Sequence, residues 1–280
     1  MTVGIVANKH KDYGLAYTRE ITRFLEARGA LVVPIEVTAA ESTTIESTTT
    51  EAIGDNVLPR ADFWVVLGGD GTMLKAAHNA AVLDIPLLGI NLGTMGFLTD
   101  VDRQDGFTAI ENVLEGRYES QKRLMLEARL VSNVPSLALN EVLVCSATGG
   151  LEYFSVYVND MHMDDIRANG IIVATPTGST AYNLSAGGPI LAPYGQMMVV
   201  TAVCPHSLST RPWVISAQDK VRIALDGAAK STADLVPDGE KLARLQPGDY
   251  AEIRRADVSA TIIKTTPAHF YEVLRKKKIL

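Results

Sequence analysis

Asp70 is the one ionisable side chain in Val65-Val66-Leu67-Gly68-Gly69-Asp70-Gly71-Thr72, an apolar run that ends in three glycines. The pattern predicts a buried strand that delivers a tight loop almost free of side chains. Lacking Cβ atoms, Gly68, Gly69 and Gly71 are expected to enter left-handed conformations, approach a ligand closely and turn successive N–H groups onto phosphate oxygens, with Thr72 in the same cradle. The segment from Thr72 to Ala81 has helical composition, so the positive end of its dipole would face the same phosphates. A carboxylate among phosphate-binding amides repels a polyphosphate unless it serves a metal or a hydroxyl. On the loop alone, that reading competes with a strand-to-helix turn in which Asp70 is a cap.

Three further stretches carry polar groups where an apolar element would not need them. Asn140-Glu141 lies inside the strand-like run Ala138 to Val144, either as a ligand contact or as the solvent-facing groups of an edge strand. The densest stretch is Ile171 to Ile190, in which a buried strand leads into Thr175-Pro176-Thr177-Gly178-Ser179-Thr180-Ala181-Tyr182-Asn183-Leu184-Ser185 and then Gly187-Gly188-Pro189. Thr177, Ser179, Thr180 and Ser185 could hydrogen-bond a polar ligand and Tyr182 could cover an aromatic ring; a Ser/Thr-rich turn explains only part of this. Arg167 and Asn169 immediately precede the strand and could add a charge and an amide, or be surface turn residues. His206 is a candidate acid–base group by residue type alone, and His10, His78, His162 and His269 show no metal-ligand spacing. The chain has no Gly-Lys dipeptide, no G-x-G-x-x-G fingerprint and no G-x-S-x-G elbow, so a phosphate site must rest on the glycine-aspartate loop.

The elements that must position these residues follow from the hydrophobic pattern. Val3 to Ala7 reads as a first strand, Tyr17, Ile21, Phe24 and Leu25 as one face of a helix ended by Gly29, and Ala30 to Ile35 as a second strand, giving a β-α-β unit. Phe63 to Leu67 and Pro86 to Ile90 are further strands. The second runs into Asn91-Leu92-Gly93-Thr94-Met95-Gly96-Phe97-Leu98, so two consecutive strands end in Gly-rich loops, which share one rim of a parallel sheet. Phe107, Ile110, Val113 and Leu114 restore a helical period. Beyond them come short strand-like runs, near Leu124–Leu130, Phe154–Val158, Met198–Val203, Lys220–Leu225 and Tyr250–Ile253, and a final helical segment, Phe270 to Arg275. The expected architecture is a Rossmann-like N-terminal α/β domain over residues 1–119, with 266–280 returning to it, followed by a β-rich C-terminal domain over 120–265. The Thr/Ser-rich segment 38–51 has no apolar period and reads most simply as a mobile loop, with an irregular helix as the alternative.

Bulk properties narrow the classes. The chain has 280 residues, 47% hydrophobic, and a formal net charge of -6, which leaves no electrostatic footprint for nucleic acid. No segment reaches membrane-spanning length and none reads as a signal peptide. Cys145 and Cys204 fit no metal or redox spacing and point to a reducing cytoplasm.

Together these stretches resemble the NAD kinases: Gly68-Gly69-Asp70-Gly71-Thr72, Asn91-Leu92-Gly93 with Gly96-Phe97-Leu98, Asn140-Glu141, the stretch from Thr175 to Pro189, Cys204-Pro205-His206-Ser207-Leu208 and the closing Phe270 to Leu274, in the family's order. The glycine-aspartate pentad alone is shared with lipid kinases and phosphofructokinases, whereas Thr175 to Tyr182 is highly specific. The resemblance implies transfer of the γ-phosphoryl group of ATP, or in some members polyphosphate, to the 2′-hydroxyl of the adenosine ribose of NAD, with Mg²⁺ offsetting phosphate charge. It implies Asp70 as the proton acceptor, Gly68, Gly69, Gly71 and Thr72 at phosphates, and Gly71, Lys75 and Phe97 beside the substrate. It also implies Asn140, Glu141, Arg167, Asn169, Thr177, Thr180, Ala181, Tyr182, Asn183, Leu184 and Ser185 around NAD, in a crevice between the domains of a homodimer or homotetramer whose neighbouring subunit completes the site. Asn169 stands where the family usually has aspartate, and Glu240, in Pro237-Asp238-Gly239-Glu240, where it often has glutamine. A lipid or sugar kinase with the same loop, and a catalytically weak nucleotide sensor, are the alternatives.

Overall fold

A computed structural model describes residues 1–36, 60–94, 96–99, 101–130, 135–265 and 270–279. The segment 38–51 lies outside the described residues. The described residues divide into two compact units, one of those up to Arg123 and from Val258 onward, the other Leu124–Asp257.

The first unit begins with β1 (Thr2–Ala7), α1 (Ala16–Glu26), β2 (Leu31–Ile35), β3 (Phe63–Gly68), α2 (Asp70–Val82), β4 (Leu87–Asn91), the short β5 (Val101–Asp102) and α3 (Gly106–Leu114). Strands run parallel in the order β2-β1-β3-β4, with β5 beside β4. β3 and β4 are buried along their whole length, which is why they read as unbroken apolar runs. Tyr17, Ile21 and Leu25, spaced four apart, put the buried stripe of α1 into the core with Val3, Ile5, Val65 and Leu88. In α2 the buried face is Met73, Ala76, Ala77, Ala80 and Ala81, small enough to bring the helix backbone close to the sheet.

The second unit is built from most of β6 (Glu119–Leu130), β7 (Ser136–Ala138), β8 (Glu141–Ser146), β9 (Glu152–Val158), β10 (Met161–Ala168), β11 (Gly170–Ala174), the one-turn α4 (Tyr182–Ser185), β12 (Met197–Val203), β13 (Trp213–Ser216), β14 (Val221–Leu225), β15 (Ala233–Pro237), β16 (Ala243–Leu245) and most of β17 (Tyr250–Lys264). One antiparallel layer has the order β10-β9-β14-β17 and the other β13-β12-β11-β8-β15-β16. A core containing Phe154, Val156, Val221 and Ile223 from the first layer and Val142, Val144, Ile171 and Val173 from the second lies between them. The alternate residues of β11, Ile172 and Ala174, face the other way and pack with Val199 and Leu191. Both faces of β11 are therefore covered, and the chain beyond Thr175 supplies part of the second cover.

The last strand and helix serve the first unit. Tyr250–Ile253 pair with Val221–Ala224, but β17 continues until Ile262 pairs with Leu87, and α5 (Phe270–Lys276) follows. The strand is thus far longer than the Tyr250–Ile253 run suggests. Two further differences have clear causes. Asn140 does not sit within one strand: pairing stops after Ala138 and resumes at Glu141 because Asp238 captures the intervening amides. β10, Met-His-Met-Asp-Asp-Ile-Arg-Ala, is an edge strand exposed along most of its length and so carries no apolar alternation to reveal it. Among the described residues, no helix is long and apolar enough to cross a membrane.

Candidate active site

In the first unit, parallel pairing of β3 with β4 sets Gly68 opposite Asn91 and so brings the two Gly-rich loops side by side. Asp70 fastens one to the other. Its Oδ2 accepts the Phe97 N–H at 2.8 Å, while Oδ1 accepts from Leu98 N, Thr99 N and the Thr99 hydroxyl at 3.1–3.2 Å. Asp70 is not the cap of α2; Gly69 holds that position without a side-chain bond. With three donors on Oδ1 and one on Oδ2, the second oxygen retains capacity for another donor.

The glycines of the loop work differently from the sequence expectation. Gly68, Gly69 and Gly71 are not among the residues with positive φ, so no left-handed turn is made there. Gly68 and Gly69 instead leave room for side chains that approach the loop. A Cβ at Gly68 would run into the Thr72 side chain, one at Gly69 would stand 2.7 Å from Lys11 Nζ, and one at Gly96 would collide with the Asp70 carboxylate. Gly71 is exposed with nothing within 4 Å of a Cβ position, leaving open space over the start of α2.

Beside this loop lies a cleft of about 570 Å³ whose lining includes Ala7, Asn8, Lys11, Gly69, Thr72 and Lys75. Sequence reasoning missed its far wall. The loop after β1 is shaped by Asn8, whose Nδ2 donates to Thr72 Oγ1 at 3.0 Å while its Oδ1 accepts the N–H groups of His10 and Lys11. The available signal was Asn8-x-x-Lys11-Asp12 directly after a buried strand. Lys75 is exposed on α2 in the same cleft. Phe97 is half-buried, its ring 6.0 Å from that of Phe270 and under the Lys277 ammonium at 5.1 Å.

The second unit gathers most of the remaining candidates. Asp238, at positive φ in the turn after β15, accepts the N–H groups of Leu139, Asn140 and Glu141 at 2.6–3.0 Å. The Asn140 carbonyl accepts the Thr175 N–H at 2.8 Å, the Thr175 hydroxyl donates to the Leu139 carbonyl at 2.6 Å, and a Cβ at Gly178 would strike the Asn140 carbonyl. Asn140-Glu141 and the Thr175–Thr180 loop are therefore brought together. Burial pushes the Glu141 carboxyl up to about 7; the Asp238 charge adds to this, and the Tyr182 backbone N–H works against it. Glu141 Oε2 and the Thr177 hydroxyl are buried without a hydrogen-bond partner among the described residues. Such groups are costly unless a ligand or water satisfies them.

Several of the other candidates have their polar groups engaged by the protein. Asn183 is buried, donating to Ser179 O and Pro189 O at 3.1 Å and accepting from the Thr201 hydroxyl at 2.7 Å. Thr180 Oγ1 donates to Thr177 O at 3.3 Å. Ala181 and Leu184 are half-buried, whereas Tyr182 and Ser185 are exposed on α4. Glu240 is half-buried, with its N–H on the Pro237 carbonyl. Arg167 is exposed, its guanidinium 5.5 Å from the Tyr153 ring centroid. Asn169 Nδ2 donates to the carbonyls of Gly149 and Gly150. An aspartate cannot make those bonds, which gives the amide a physical reason at that position. His206 is exposed and its backbone N–H donates to the Arg167 carbonyl.

The paired glycine loops and pinned carboxylate of the α/β unit, and the buried polar groups without partners in the β-sandwich unit, are features that a phosphoryl-transfer enzyme would use. Residues 3–118 match the ATP-NAD kinase N-terminal domain and residues 139–265 the ATP-NAD kinase C-terminal domain. The chain is 35% identical over 283 residues to the NAD kinase of Ruminiclostridium cellulolyticum, covering 98% of this chain and 96% of that protein. It is 36% identical over 282 residues to that of Caldanaerobacter subterraneus subsp. tengcongensis, covering 98% of both. Among solved structures, yeast NADH kinase complexed with NADH superposes with a TM-score of 0.80 at 25% identity, over 99% of this chain and 86% of that one. An NAD kinase from Archaeoglobus fulgidus in complex with ATP has the same fold, with a TM-score of 0.79 at 24% identity over the full length of both. The chain belongs to the NAD kinase family.

Proposed function

We propose that this chain transfers the γ-phosphoryl group of ATP to the 2′-hydroxyl of the adenosine ribose of NAD. The observation that carries the reading is Asp70: a carboxylate held at the glycine loop by four donors, with Oδ2 still able to accept the hydroxyl proton. The bond from the γ-phosphorus to its bridging oxygen breaks, the bond from the 2′-oxygen to that phosphorus forms, the hydroxyl proton passes to Asp70, and ADP and NADP leave. The cleft beside the loop suits the donor, with Val6, Ala7 and Ile35 offering apolar surface to a base and Lys75 a positive charge to phosphates. Mg²⁺ would arrive as part of the nucleotide substrate and offset its charge.

NAD recognition is assigned to Asn140, Glu141, Thr177 and Tyr182 with their neighbours. The unpartnered Glu141 Oε2 and Thr177 hydroxyl suit a hydroxyl-rich ligand and disfavour a lipid acyl chain. Incubating the purified protein with NAD, ATP and Mg²⁺ should give NADP, detected by an NADP-specific dehydrogenase. NAD binding without NADP would favour a nucleotide sensor instead.

A further inference from the structure

We propose that Lys11 is the residue that grips the terminal phosphates of the donor against the glycine loop. The proposal rests on the phosphoryl-transfer reading above and deepens it by naming the charge that reads the donor.

The Lys11 ammonium sits over both glycine loops: a Cβ would stand 2.7 Å from Nζ at Gly69 and 3.5 Å from it at Gly93. Gly69 has an extended backbone, φ -137°, that any residue can adopt, and its missing side chain leaves the space that the end of Lys11 occupies. The loop beneath the lysine is built and not slack. Asn8 N donates to Leu67 O at 2.9 Å, Lys11 N donates to Asn8 O at 3.0 Å, and the Asn8 side chain is tied to Thr72. The position of Lys11 is thus registered to the end of β3 and the first turn of α2.

Among the described residues no carboxylate accounts for the lysine. Asp12 next to it spends both oxygens on Tyr17 N, Thr18 N and the Thr18 hydroxyl, Asp70 is bound to the second glycine loop, and Glu36 pairs with Lys9 at 3.3 Å. Among the described residues none pairs with Lys11. A cation without a carboxylate partner among the described residues, lining a cleft that also includes Lys75 and the start of α2, fits a polyanion, and the triphosphate is the polyanion this reaction brings. Lysine is apt there as a compact point charge that can follow the phosphoryl group as charge shifts to the leaving oxygen.

The test compares wild type with Lys11→Ala and Lys11→Arg. Because Lys11 is exposed, all three should melt alike. Lys11→Ala should lower kcat/KM for Mg·ATP about 100-fold while the Kd of NAD, measured without donor, stays within about twofold, and Lys11→Arg should recover part of the loss. Inorganic tripolyphosphate should compete with ATP in wild type and lose most of its affinity in Lys11→Ala. Unchanged ATP kinetics, or an equal loss of NAD affinity showing that Lys11 only holds the fold, would overturn the proposal. If wild type made no NADP, the functional reading would fail; tripolyphosphate binding to wild type and Lys11→Ala would still decide the role of the lysine.

Discussion

At the residue scale, Glu141 is the group whose environment makes the sharpest demand. Its carboxyl is pushed from 4.5 to about 7 by burial first and the Asp238 charge second. The folded protein therefore holds a proton that the unfolded chain releases near pH 4.5. The linked stability is present below that pH, declines as pH rises towards 7, and is fully lost above it, by about 3 kcal/mol for a shift of this size. A ribose hydroxyl donating to Oε2 favours the charged carboxylate, so NAD binding should expel the proton. Calorimetry in buffers of different ionisation enthalpy should show NAD binding releasing up to one proton between about pH 5.5 and 7, and Glu141→Gln should abolish the release. Binding with no proton release in wild type would remove Glu141 from the contact. The sequence flagged Glu141 as a polar residue in an apolar run; its partner Asp238 was invisible, because the turn that brings it lies 97 residues away.

At the scale of elements, glycines act as contact points between segments. Gly178 presses against the Asn140 carbonyl, a backbone atom that cannot rotate aside. Gly178→Ala should therefore destabilise the second unit by roughly 1–3 kcal/mol, seen as a lower Tm, and weaken NAD binding more than ATP binding. A variant with unchanged Tm and NAD affinity would show that the two segments are not mutually held. The strand-loop-helix of residues 63–82 and the parallel β-α-β unit were readable from the sequence, since buried parallel strands leave continuous apolar runs and α1 a four-residue period. The loop after β1 was not. Asn8 and Lys11 matter through atoms they meet on Thr72 and Gly69, about 60 residues on, and no local period records that.

For the whole molecule, the proposed function gives phosphate handling to the first unit and NAD recognition to the second, and β17 supplies residues to both units. The class of the two units was legible from the change of period after residue 120, and the family from motifs spread along the chain. The edge strand β10 and the length of β17 were not, because exposed or mixed environments erase the apolar alternation that marks a strand. The central claim is that Asp70 both ties the glycine loops and takes the proton of the 2′-hydroxyl. Asp70→Asn tests it most directly, since the amide oxygen can keep the three bonds at Oδ1 while the NH₂ group faces the Phe97 N–H and cannot accept a proton. Turnover of NAD to NADP under saturating Mg·ATP should fall by at least about 1,000-fold, with the Kd of NAD changed less than about fivefold. An Asp70→Asn enzyme with turnover close to wild type would contradict it.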